Sequence, residues 1–374
     1  MTLKTKTIMH DRTRSTKWPI DQSKEAMIAW LMSIPAILLI LVFLIVPFIL
    51  AFYFSLTNQR LISPNPTEFT GLQNYRQLLK LRVLRLDSLI DETGQPILDE
   101  AGNVTFPLER EIIRNPDYPQ YAGFQNWKSW DIGNSRYSLL AGDVVFMKSL
   151  INTLYFALVI VPGQAGLGLL LALLINQRTK GVNIFRTIYF MPVVVSIVIV
   201  SILFRFIYSG DNGLLNSVLV FISAGRFTPI DWMASTTTAM PAIMAMSAWQ
   251  AVGIHMVIWL AGLQNIPHVL YEAADIDGAN AIQKFRFVTW PGLHNTAVFI
   301  LVTITIAALG LFTQIHVMTR GGPLDSTSTV IFQAVRRGFD MQNIAYGSTI
   351  SLVFFILVLS VAMIQRYLTR EKKA

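Results

Sequence analysis

Six stretches of this 374-residue chain are long, apolar and nearly free of charge, and they constrain its fold more than any other feature. The first covers 27–56 and carries no Asp, Glu, Lys or Arg. A helix needs only about 20 apolar residues to cross a bilayer. Inside hydrocarbon the backbone must satisfy its own hydrogen bonds, so such runs are expected to be helices. Five more follow at 149–175, 187–205, 240–263, 296–318 and 346–365, and Arg205 at the edge of the third is their one charged residue. The expected fold is therefore an all-α integral membrane protein with six transmembrane helices over 27–365. Pro35 and Pro47 predict kinks in the first helix.

Composition agrees. Charged residues make up 14% of the chain, against about 25% in soluble domains. There is no cysteine, so a disulfide framework and a thiolate metal site are excluded. The basic segment 1–26 precedes an apolar run far longer than a signal core of roughly 7–15 residues, so that run reads as a retained first span. The one large polar segment, 57–147, has nine basic and eleven acidic residues. Turn signals at Asp91–Gly94 and Asp99–Asn103 flank short β-like stretches. It lacks strong apolar periodicity, which predicts a loop-rich cap.

Six spans put both termini on one side. The tails 1–26 and 366–374 and the connections after spans two and four hold 15 of the 30 basic residues there. They hold only seven of the 22 acidic ones, which accounts for the whole excess of +8. Arg178, Lys180 and Arg186 lie in the short loop that weighs most in the positive-inside rule. Both termini and 271–293 are thus expected to be cytoplasmic, with 57–147 outside. The positive charge belongs to membrane orientation rather than to nucleic-acid binding.

Several chemistries lack their signatures. There is no G-x-x-x-x-G-K-[ST] phosphate loop. The five histidines show no i, i+3 or i, i+4 pairing for a metal site, and His255 and His316 read as packed, hydrogen-bonded neutral side chains. No nucleophile has a His/Asp pattern beside it. The spans offer no buried ionisable residue of the kind an ion-coupled carrier uses.

Between two of the apolar runs lies YEAADIDGANAIQKFRFVTWPGL, 271–293. Glu272, Ala273 and Ala274 favour helix. Gly278 permits a bend. Residues 279–289 read as a second helix with Ile282, Phe285 and Val288 on one face, and Trp290-Pro291-Gly292 is expected to stop it.

Glu272-Ala273-Ala274, Asp277-Gly278-Ala279, Phe285 and Pro291-Gly292-Leu293 resemble the EAA loop of ABC importer permeases, in the form found in the maltose-type carbohydrate-uptake group. Four further phrases resemble the family in the right order: 69–75 (FTGLQNY), 152–154 (NTL), 190–192 (FMP) and 312–323, where Thr313 replaces the usual Asp. The segment of roughly 80–145 is longer than in the family. The resemblance implies a type I importer permease fold with a large extracytoplasmic insertion between helices 1 and 2. It implies a bacterial or archaeal cytoplasmic (inner) membrane protein that is half of a translocation path for a carbohydrate or related polyol.

The resemblance also implies partners: a second permease subunit, two ATPase subunits that use ATP and Mg, and an extracytoplasmic solute-binding protein. This chain would bind no cofactor itself. Glu272, Ala273, Ala274, Asp277, Gly278, Ala279, Phe285 and Pro291 would couple to the ATPase, with Glu272 pairing a partner Arg or Lys. On the fourth span, Ser247, Gln250, Ala251 and Ile254 share a helical face and would line the sugar path. Two other readings stay open on the residues alone: an ion-coupled carrier without an ATPase, and a membrane-anchored assembly factor.

Overall fold

The computed structural model describes residues 22–177 and 181–369. The tails 1–21 and 370–374, and Arg178 and Lys180, lie outside the described residues. Contacts divide the chain at Leu50 and Ala51 into two units.

The first unit is helical over Gln22–Ile40, passes through a π-turn at Leu41–Ile45, and enters the helix Val46–Ser55. Proline cannot donate to the helix ladder and collides with the carbonyl four residues back. Here the ladder widens just before Pro47, and the Val46 N–H reaches the Leu41 carbonyl, five residues back. The disturbance expected at Pro47 thus takes the form of one wide turn.

In the second unit, four stretches are long and apolar enough to cross a membrane: Val144–Ile175, Ala239–Gln264, His294–Met318 and Ile344–Leu368. With Ala26–Ser55 there are five among the described residues. The span expected at 187–205 falls on a pair of helices, Val182–Val194 and Ile197–Ile207, bent by 97°. Val195 and Ser196 are both extended, with ψ of 135° and 133°, which breaks the ladder between them. Pro192, three residues upstream, removes one donor from the last turn of the first piece. The fifth stretch also breaks, at Gly310, between His294–Leu309 and Thr313–Met318.

Its core is built from side chains such as Phe156, Ile243, Met246, Met256, Ile300, Ile304 and Ile315, all at most 2% exposed. Polar groups tie the second and fourth spans. Gln164 Nε2 donates to the Ser247 carbonyl and Trp259 Nε1 to the Ala165 carbonyl, each at 2.9 Å. Interhelical bonds of this kind serve where packing has no hydrophobic drive. Gly347 lets the sixth span approach Val330–Val335 and the π-turn after it, since a Cβ there would come within 2.7 Å of Gly338 Cα.

The all-α expectation fails at 81–141. Strands β1 (Leu81–Asp87), β2 (Gln125–Ile132) and β3 (Ser135–Ala141) form an antiparallel sheet in the order β1-β3-β2. Leu84, Leu86 and Leu140 on one face are buried against Ile112, Ile113, Tyr121 and Phe124. The period-two signal was obscured because the other face is apolar too, with Leu81, Val83, Trp130 and Ile132 exposed. Arg136 donates to Asp131 at 2.7 Å and lies over the Phe106 ring. That guanidinium holds the Asp131 carboxyl below the usual range. Between β1 and β2, the two expected turns are present. Asp91 accepts from the Thr93 hydroxyl and the N–H groups of Thr93 and Gln95, and Asp99 from the N–H groups of Ala101 and Asn103.

Candidate functional site

The segment after the fourth span forms a knob. Its first helix, His268–Ile276, ends at Asp277. Gly278 takes φ +72°. The Ala279 N–H donates to Ala274 O at 2.9 Å and the Gly278 N–H to Asp275 O at 3.1 Å. This pair of bonds is the Schellman stop, which needs a left-handed residue and so favours glycine. Asn280 then starts the next helix, Ala281–Lys284, with a capping box: its side chain accepts from the Gln283 N–H while Gln283 Oε1 accepts from the Asn280 N–H.

The second helix does not stop at Trp290-Pro291-Gly292. It widens into a π-turn at Phe285–Thr289, continues through Trp290–Gly292, and runs on from His294 as the fifth span. Trp290 N–H reaches Phe285 O, five residues back. Pro291 follows this turn as Pro47 follows the earlier one, and the wide turn accommodates its ring without ending the helix. Tyr271 and Thr289 join the two halves, with their hydroxyls 2.9 Å apart. Lys284 and Asp275 form an ion pair across the bend.

The knob's outer surface is mixed. Glu272 is 64% exposed and meets only its neighbour one turn back, with its carboxylate 3.1 Å from His268 Nδ1. Ala273 and Asp277 are exposed, and Ala274 and Ala279 half-buried. Ile276 and Ile282 are 88% and 78% exposed. Phe285 sits partly exposed beside Trp290, while Val288 packs on the core, so the expected Ile282–Phe285–Val288 stripe is split between surface and interior. Eight of the predicted coupling residues thus lie in one compact, largely solvent-facing unit.

The fourth-span residues are arranged otherwise. Ser247 is buried, and its hydroxyl has no partner within the chain. Gln250, Ala251 and Ile254 are half-buried. A cavity of about 750 Å³ lies beside this helix, but Ala245, Ala248, Trp249 and Val252 line it from that side. None of the four predicted path residues does. His255 Nδ1 is buried without a partner, contrary to the expected hydrogen bond, and His316 stacks on Phe312.

At the end of the helices remote from the knob, two of the other short phrases bond to the chain around them. Asn74 Nδ2 donates to the carbonyls of Ser55 and Thr57, and Tyr75 meets the Ser55 hydroxyl at 2.7 Å. These bonds satisfy carbonyls that a helix end leaves open. Asn152 Nδ2 donates to the carbonyls of Asp325 and Ser328, and the Val330 N–H donates to Thr153 Oγ1. A third cluster went unread in the sequence. Asp143 caps Val144–Ile175, accepting from the Phe146 N–H, and also accepts from Tyr346 Oη at 2.9 Å and Arg337 at 3.2 Å. A lone Asp before an apolar run is a cap signal, but its other two partners stand about 200 residues away.

Among the described residues no group of three or more His, Cys, Asp or Glu could hold a metal ion.

Residues 164–373 match the family described as binding-protein-dependent transport system inner membrane component. The chain is 35% identical, over 63% of its length and 79% of the other, to the lactose transport system permease protein LacF of Rhizobium radiobacter. It is 31% identical, over 72% of its length and 86% of the other, to the trehalose/maltose transport system permease protein MalF of Thermococcus litoralis. In fold it resembles a chain of a bacterial ABC transporter involved in the import of the acidic polysaccharide alginate. The TM-score is 0.68 at 18% identity, covering 94% of this chain and 98% of that one.

Proposed function

We infer from one premise: the chain belongs to the family of binding-protein-dependent transport system inner membrane components. It is a permease subunit of an ABC importer. We propose that its cargo is a carbohydrate or related polyol, which the names of its lactose and trehalose/maltose relatives support. It would supply half of the path beside a second permease subunit and receive cargo from an extracytoplasmic binding protein. Two separate ATPase subunits would use ATP and Mg. Both termini and the knob would face the cytoplasm, and 57–147 the outside.

The observation that carries this reading is the knob. It is capped at its bend, tied to a span, and exposes a carboxylate and two isoleucines. Docking would bury these groups in a partner, with Glu272 meeting a cation. Reversing a charge in a desolvated pair costs about 2–5 kcal/mol. Glu272→Lys is therefore expected to lower recovery of the ATPase with the membrane subunits and to abolish uptake. Normal recovery with normal uptake would defeat the reading.

Ser247 and Gln250 remain the proposed path residues. Ser247 brings a buried hydroxyl without a partner in the chain. Ser247→Ala and Gln250→Ala are each expected to lower uptake with unchanged complex yield. Unchanged uptake in both would remove this face from the path.

A further inference from the structure

The joint between the knob and the fifth span contains an arrangement that docking alone does not require. Along the chain, the first knob helix leads to the next span through the bend at Gly278, which takes φ +72° with open space where a Cβ would stand. Two side-chain ties cross that bend. One is the Asp275–Lys284 ion pair, with Asp275 63% exposed. Exposed pairs of this kind contribute little and weaken in salt. The other is Tyr271 with Thr289. Thr289 is 5% exposed, and Tyr271 packs against the main core.

Thr289 is the last residue of the π-turn Phe285–Thr289. Its hydroxyl lies 2.9 Å from that of Tyr271 and also 3.4 Å from the Lys284 carbonyl. The polar contacts therefore run from Tyr271 Oη through Thr289 Oγ1 to the Lys284 carbonyl. It reaches from the first knob helix, past the bend, to the backbone at the start of the wide turn. Pro291, two residues on, contributes no donor of its own. At this wide turn the ladder reaches five residues back instead of four, and the tie spans it.

We propose that Tyr271 and Thr289 are positioning residues for coupling: their hydrogen bond makes the first knob helix and the root of the fifth span move as one body. With the bond, a displacement of the docked helix is delivered to the span. Without it, the displacement is taken up at Gly278 and the wide turn. This rests on the reading of the knob as the ATPase dock. It concerns what happens after docking, because Tyr271 is half-buried on the inner side and Glu272 is on the outer side.

The test uses the full importer, with its ATPase and binding-protein subunits, in proteoliposomes. Tyr271→Phe removes one hydroxyl and keeps the ring. The expected result is a drop of about fivefold in cargo transported per ATP hydrolysed, the size of effect one hydrogen bond supports. The KM for ATP and the recovery of ATPase subunits should be unchanged. Thr289→Val should give the same drop, Thr289→Ser should restore the ratio, and Tyr271→Phe with Thr289→Val should be no worse than either alone. A ratio within twofold of the unmodified importer in both single variants would overturn the proposal. So would additive losses in the double variant, or losses that follow complex yield. Glu272→Lys is run in parallel. If it dissociates the ATPase while Tyr271→Phe keeps the ratio, only the joint fails. If Glu272→Lys assembles and transports normally, the dock itself fails.

Discussion

The two ends of the helical bundle treat their polar side chains in opposite ways. At the end remote from the knob, Asn152, Thr153, Ser328 and Asp143 spend their hydrogen-bonding capacity inside the chain, in part on partners about 170–200 residues away. At the knob, Glu272 meets only a histidine on its own helix, and Ile276 and Ile282 meet nothing that covers them. Satisfied buried groups contribute stability and specify one arrangement. Exposed apolar and charged groups on a capped, rigid unit are what a docking surface needs. The motif phrases therefore divide by physics. Those near 152 and 312–323 hold the protein together, and the one at 271–293 is turned outward.

The contrast can be broken at its strongest point first. Asp143→Ala removes a carboxylate that satisfies Arg337, Tyr346 and a helix N-terminus together. Stranding a fully buried partner costs about 3–5 kcal/mol. The Arg337 side chain is 29% exposed, so about 2–3 kcal/mol is the expected loss. It should appear as a lower unfolding midpoint in detergent. A variant with full stability and lost uptake would place this cluster among the functional groups instead. Gly278→Ala tests the other end. A Cβ there meets nothing within 4 Å, so its cost is the left-handed backbone alone, about 1–2 kcal/mol. The loss should be local, read as faster amide exchange at Ala279, whose N–H closes the helix stop. A global loss of stability would show that the bend is not a local feature of the knob.

The smallest effect is expected in the turns of the 81–141 region. Accepted bonds hold the carboxyls of Asp91 and Asp99 below their ordinary value of 3.8, led by the Thr93 side chain for one and the Asn103 N–H for the other. The folded value is the lower one, so the turns are favoured above the unfolded value. That support is lost as pH falls from about 4 through the depressed values. Amide protection at Gln95 and Asn103, taken relative to the free-chain rate at each pH, should fall over that window while that of Ala279 does not follow. Parallel change at both places would mean global acid unfolding.

Much of the architecture was legible because charge-free apolar length is a blunt signal. The span read at 240–263 lies within the observed Ala239–Gln264. The 97° bend was not legible, since Val195 and Ser196 carry no strong breaker and Pro192 sits before the bend rather than at it. The sheet was missed because both of its faces are partly apolar, which hides the alternation. At the knob, Gly278 could be read as a bend from the residue alone. The role of Thr289 could not, because it depends on a π-turn that shifts which residues face Tyr271. Asp143 shows the same limit at long range: its cap was readable, its partners were not.

The wide turn at Phe285–Thr289 also has a geometrical consequence. A π-turn is an α-helix with one residue too many, and each α-helical residue advances the face by about 100°. Straightening that turn into plain α-helix without removing a residue would swing every side chain of the fifth span by roughly 100° relative to the knob. The extra residue thus acts as a phase setting, which aligns the angular position of a membrane-embedded face with a surface outside the membrane.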